Sequence, residues 1–114
     1  DDFMIIKSKG KRSDFREIAL DYTELIKEID KHQPSKILMD HRDVIYDVHQ
    51  SDALNLVRFY EKHEERFGDL TMACCMDKDF IHLGKYLAIL AQIRGFKLKI
   101  FTDIEEAKDW LNKN

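Results

Sequence analysis

The sequence is poor in the residues that break or staple a chain. It has one proline, four glycines and two cysteines in 114 residues. So little proline and glycine, with 44% hydrophobic residues, excludes disorder and low complexity. The two cysteines, Cys74 and Cys75, are adjacent and cannot clip distant segments together. They read as reduced thiols of a cytoplasmic protein. No apolar run approaches the roughly 18–20 residues that cross a bilayer. Nor is there a basic excess. The 22 acidic and 19 basic residues are interspersed and leave a formal charge of −3, which argues against a nucleic-acid groove. There is no initiator Met and no signal-peptide pattern, so Asp1 reads as a trimmed or processed start.

What is present is enough chain for one domain with its own core. Short apolar runs alternate with stretches of helical period. Phe3 to Ile6 reads as a strand, followed by a basic turn over Lys7–Arg12. Ser13 is placed to cap a helix whose apolar positions, Phe15, Ile18, Ala19, Tyr22, Leu25, Ile26 and Ile29, trace one stripe ending before Pro34. Lys36–Asp40 is a second strand with an apolar centre suited to burial on both faces. His41–Gln50 reads as a polar loop. Ser51-Asp52 then caps a helix running to about Phe67, with Ala53, Leu56, Val57 and Tyr60 inward and Gly68 in the C-terminal cap position. Leu70–Met76 is a third strand, and about Phe80 to Arg94 a third helix closed by Gly95. Phe96–Phe101 alternates apolar and basic like an edge strand. Thr102–Glu105 is a capping box opening a last helix that carries Ile104, Ala107, Trp110 and Leu111. The order βαβαβαβα predicts an α/β fold: a mainly parallel or mixed sheet of four to five strands with helices on its faces.

Ligands of such folds sit outside the carboxyl ends of the strands. That directs attention to Asp40, His41, Arg42 and Asp43, to Cys75, Asp77 and Lys78, and to the end of the last strand. Phosphoryl transfer at Asp40 would need an acidic pair after the first strand to hold a divalent cation, and that position holds lysines. A metal site from His41, His49, Asp43 and Asp47 lacks ligand spacing, and His63-Glu64-Glu65 lacks H-E-x-x-H, so no metal or cofactor is expected. Cys74 and Cys75 must point to opposite faces of their strand. A reactive Cys75 would need a positive, exposed setting such as the nearby helix start with His82. Neither a nucleotide-binding glycine loop nor a nucleophile elbow occurs. The third helix is apolar on more than one face. Phe80, Leu83, Leu87 and Leu90 are therefore either packed inside or offered to a second copy or an apolar ligand, with Gly84 permitting close approach.

Three strings carry a resemblance. Ser13-Asp14-Phe15-Arg16-Glu17, Lys36-Ile37-Leu38-Met39-Asp40-His41-Arg42-Asp43, and Phe101-Thr102-Asp103-Ile104-Glu105-Glu106-Ala107-Lys108-Asp109-Trp110-Leu111, in that order, resemble the STAS-like family. The branch is the one related to stage II sporulation protein AA, often named STAS/SEC14 domain-containing. The resemblance covers nearly the whole chain, and the abrupt start at Asp1 fits a STAS domain whose first strand is missing or altered. It implies a non-enzymatic regulatory or protein-interaction domain. In the anti-anti-sigma relatives, a phosphorylatable Ser lies in an Asp-Ser-Ser-Gly stretch before a helix. The matching region here is Asp47–Asp52, in which only Ser51 can correspond. The Ser pair and the Gly are absent, so a kinase-operated switch is not implied. The runner-up expectation is a binder of a lipid or other apolar small molecule, and the third a thiol or phosphoryl-transfer enzyme. Expected partners are thus a protein or an apolar molecule, with a homodimer allowed, but no nucleic acid and no membrane-spanning segment.

Overall fold

Ile37, Leu38 and Met39 are buried on both sides of their strand, the environment of a central parallel strand. The structure, a computed structural model, describes residues 2–114. Four parallel strands, β1 (Met4–Arg12), β2 (Lys36–Tyr46), β3 (Thr71–Met76) and β4 (Lys97–Phe101), lie side by side in chain order. The helices are α1 (Phe15–His32), α2 (Asp52–Lys62), α3 (Glu64–Phe67), α4 (Ile81–Ile93) and α5 (Ile104–Lys113), with a 3-10 turn at Lys78–Phe80. The α/β architecture expected from the alternation is present, with every strand pair parallel.

Crossovers between neighbouring strands put α1, α2 and α4 over one face. There they enclose the main core, in which Tyr22, Tyr60, Phe67 and Phe96 meet Ile37, Met39, Met72 and Leu98. The buried Tyr60 phenol donates to the Tyr22 oxygen at 3.3 Å. On the other face α5 alone packs Ala107 and Leu111 onto Leu38, Ala73 and Phe101. Among the described residues no helix is long and apolar enough to cross a membrane.

The inward stripes of α1, α2 and α5 are as the spacing predicts. Several boundaries differ. The basic stretch Lys7–Arg12 is not a turn but the second half of β1, because its lysines alternate outward from an edge strand. The predicted loop after Asp40 is strand as far as Tyr46, with Val44 buried. Helix α1 is capped by Asp14, one residue later than Ser13. The Asp14 carboxylate accepts from Glu17 N–H at 3.2 Å, and the Glu17 carboxylate accepts from Ser13 N–H at 2.7 Å. Ser51 holds the N-cap position of α2 in helical geometry without capping it. The predicted helix to Phe67 breaks at His63 into α2 and α3, and Gly68 holds the C-cap position of α3 as expected, though in right-handed geometry (φ −61°). Gly95, by contrast, closes α4 at φ +90°. Asp103, and not Thr102, caps α5.

Candidate functional site

The chemistry of this sheet gathers where β2 leaves it. Between Lys7 and Lys9 of β1 the pairing with β2 shifts from Asp40 to Asp43, so β2 carries one residue too many. That bulge breaks the two-residue period. Without it, His41 and Tyr46, five apart, would lie on opposite faces. With it both face the helices, and Tyr46 Oη lies 2.5 Å from His41 Nδ1. His41 is 4% exposed, and among the described residues its other ring nitrogen, Nε2, has no hydrogen-bonding partner. Burial holds the imidazole neutral and lowers its pKa to about 4; the nearby Arg12 charge lowers it too, while Asp21 and Asp40 pull the other way. The Tyr46 phenol is pushed well up by the same burial.

Beside this pair, Arg12 donates to both oxygens of Asp21, at 2.7 and 3.1 Å. The register places Arg12 next to Tyr46, and α1 brings Asp21 down to it. The two charges cancel locally, which leaves a neutral polar cluster at the rim of an apolar space.

That space is a cavity of about 40 Å³ between the carboxyl ends of β2–β4 and helices α1, α2 and α4. Its walls include Ile18, Tyr22, Val48, Leu56, Cys74, Met76, Leu83 and Leu87, with His41 and Tyr46 among them. Outside it lies a surface depression of about 240 Å³ formed by Gln50, Asp79, Phe80 and His82. Tyr46, Val48 and Leu83 belong to both, so they form the wall between. Phe80 stands edge-on to Tyr46 at 5.7 Å and braces that wall. A wider groove of about 490 Å³ opens at the opposite end of the sheet. There Arg66 is occupied by Asp30 at 2.8 Å and by Glu65 at 2.7 Å.

The residues singled out in the sequence are dispersed by the fold. Asp40 and Arg42 face away from the cavity, joined by two hydrogen bonds of 2.9 Å that hold the Asp40 carboxyl below its usual range. Asp43 is exposed, as are Asp77 and Lys78 in the turn after β3, where Asp77 accepts from Asp79 N–H at 2.8 Å. Ser51 is exposed, its hydroxyl 2.9 Å from His49 Nδ1. Phe80, Leu87 and Leu90 are half-buried against the main core; Leu83 is half-buried as well, and Leu83 and Leu87 line the cavity. The close approach that Gly84 permits is to its own sheet, against Met76 and Ile100. Cys74 lines the cavity and Cys75 lies on the other face. Both are buried, which raises the Cys74 thiol to about 12 and the Cys75 thiol above its ordinary value. Among the described residues no three His, Cys, Asp or Glu side chains gather as a metal would require.

Four members of the site, Arg12, Asp21, Tyr46 and Val48, carry no motif in the sequence. Asp21 left one trace, a carboxylate immediately before the inward-facing Tyr22. Fold and cavity together define a parallel α/β layer protein with an apolar recess at the carboxyl ends of its strands. No protein-family model, no curated protein and no solved structure matches the chain.

Proposed function

We propose that this chain binds a small, uncharged, largely apolar molecule in the recess outside β2–β4. The observation that supports this reading is the pairing of an apolar cavity with the buried His41–Tyr46 couple at its wall. The recess lies where α/β sheets hold ligands. An apolar body would lie against Leu83, Leu87 and Val48, while one hydroxyl or carbonyl would exchange hydrogen bonds with Tyr46 or His41. A charged head is disfavoured because Arg12 is already taken by Asp21 and the rest of the wall is uncharged apart from Asp52. The inner cavity alone is too small. With Tyr46, Val48 and Leu83 displaced it would merge with the outer depression and approach the roughly 300 Å³ at which small-molecule pockets begin.

Native mass spectrometry of the protein taken from cell extract, with thermal-shift titration of octanol against octanoate, tests this. Octanol is expected to raise Tm more than octanoate does, and Leu83→Phe, which fills the entrance, to abolish the rise. A clean apo mass together with no shift from octanol overturns the reading.

A second reading, a protein-interaction domain that pairs with a second copy, draws support from the outer side of α4. Ile89 and Ile93 stand there 57% and 71% exposed, one turn apart. Replacing both by Lys and measuring the mass in solution at high concentration tests self-association by this helix.

A further inference from the structure

Parallel sheets normally have both faces covered by helices. Here α5 lies over β2, β3 and β4 and leaves β1 bare. On that open face Ile5, Lys7, Lys9 and Lys11 point outward at every second residue, and Ile5 is 51% exposed. Strand β1, nine residues long, is also the edge of the sheet, so among the described residues one side of its backbone has no strand partner. The charges of this strip are largely uncompensated. Asp40, in register with Lys7, is held by Arg42 at 2.9 Å through both oxygens. Asp43, in register with Lys9, makes no ion pair with it among the described residues, and Lys11 reaches Asp47 only at 3.4 Å with both side chains well exposed.

We propose that the β1 edge is a docking site for an extended acidic segment of a partner protein, which adds to the sheet as a fifth strand. Backbone hydrogen bonds would supply the pairing. Side chains on the open face would supply the selection: an apolar residue beside Ile5 and acidic residues beside Lys7 and Lys9. Charge decides between occupants. A second copy pairing through β1 would set lysines against lysines, and like charges directly opposite are unfavourable. An acidic strand turns the same lysines into cross-strand pairs. This surface is separate from the recess under α1, α2 and α4, and the inference stands independently of what that recess binds.

The test uses the whole chain and a synthetic peptide of alternating valine and glutamate, with the lysine-for-glutamate peptide as control. Fluorescence anisotropy at low salt is expected to show binding of the acidic peptide only, weakening as salt is added. Amide hydrogen exchange is expected to slow in β1 and not in β4. The double variant Lys7→Glu with Lys9→Glu changes two exposed side chains and is expected to fold unchanged by circular dichroism while losing roughly tenfold or more in affinity. Equal binding by the double variant, protection at β4 in place of β1, or no binding at low salt overturns the proposal. So does slowed exchange in β1 from self-association without peptide.

Discussion

His41 carries an ionisable ring into the interior, where protonation has little to stabilise it. Its folded pKa, about 4, lies below the unfolded value of 6.5, because burial outweighs the pull of Asp21 and Asp40. Between those values the unfolded chain binds the extra proton. Stability from this residue is therefore fully present above pH 6.5 and drains away as pH falls towards 4. At 1.36 kcal/mol per unit the loss is roughly 3 kcal/mol. The Asp40 carboxyl, lowered by Arg42, contributes its own loss only further down, below its ordinary range. Denaturant titrations at several pH values are expected to show this slope. In His41→Asn, whose amide keeps a hydrogen bond to Tyr46, the slope between pH 6.5 and 4 is expected to vanish; a slope unchanged in that variant would assign it to other groups. Asp21 belongs to the same scale. Asp21→Ala leaves the half-buried Arg12 without its carboxylate and is expected to cost about 2 kcal/mol by the same titration. In the sequence, His41 was legible as a residue at a strand end. Its partners were not, because Arg12 and Tyr46 lie on segments that read as turn and loop. A one-residue bulge decides which face Tyr46 takes, and a bulge has no signature in composition.

Among the elements, α4 shows how little the total hydrophobicity of a helix says about its orientation. It is apolar nearly all round, so its stripe could not be assigned from the sequence. The sheet contact is made by its smallest residues, Gly84, Ala88 and Ala91, while its leucines flank the contact. A methyl at Gly84 would collide with Met76 Sδ and lie 3.0 Å from Ile100 Cγ2. Gly84→Ala gains helix propensity, about 1 kcal/mol, but overpacks a site whose neighbours are buried, which costs about 1–3 kcal/mol. Net destabilisation of roughly 1 kcal/mol is expected from urea unfolding. Combined with Met76→Ala it is expected to shrink or reverse, since the double change relieves the clash. Additive effects would place the constraint elsewhere. The strands teach the complementary lesson. Lys7, Lys9 and Lys11 alternate with Ser8 and Gly10, a period-two pattern that continues from Ile5. The pattern was masked by four basic residues and by Gly10, which takes φ +100° within the strand. Edge strands tolerate such residues because one side of them stays in water.

The two faces of the sheet are unequally held, and this makes the molecule as a whole less uniform than its single sheet suggests. The face under α1, α2 and α4 is sealed by an aromatic and aliphatic core, whereas the other depends on Ala107 and Leu111 with help from Ile104 and Trp110. That contact buries few large side chains for the ten residues of α5 that it must hold in order. Helix α5 is therefore expected to detach at free energies below global unfolding. The adjacent thiols report on the two faces separately. Cys74 lies beneath the main core and Cys75 on the α5 side, and neither is accessible in the closed molecule. In a Cys74→Ala protein, iodoacetamide can reach Cys75 once α5 lifts away. In a Cys75→Ala protein, the reagent reaches Cys74 only when the main core opens. Both thiols are raised by burial, so reaction must wait for opening in each case. The Cys75 protein is expected to be alkylated roughly tenfold faster or more, with a weaker dependence on urea because less surface is exposed in the opening. Adding Leu111→Ala is expected to accelerate Cys75 more than Cys74. Equal rates with equal urea dependence would mean that the two faces open together, and that α5 belongs to the same cooperative unit as the core on the far side of the sheet.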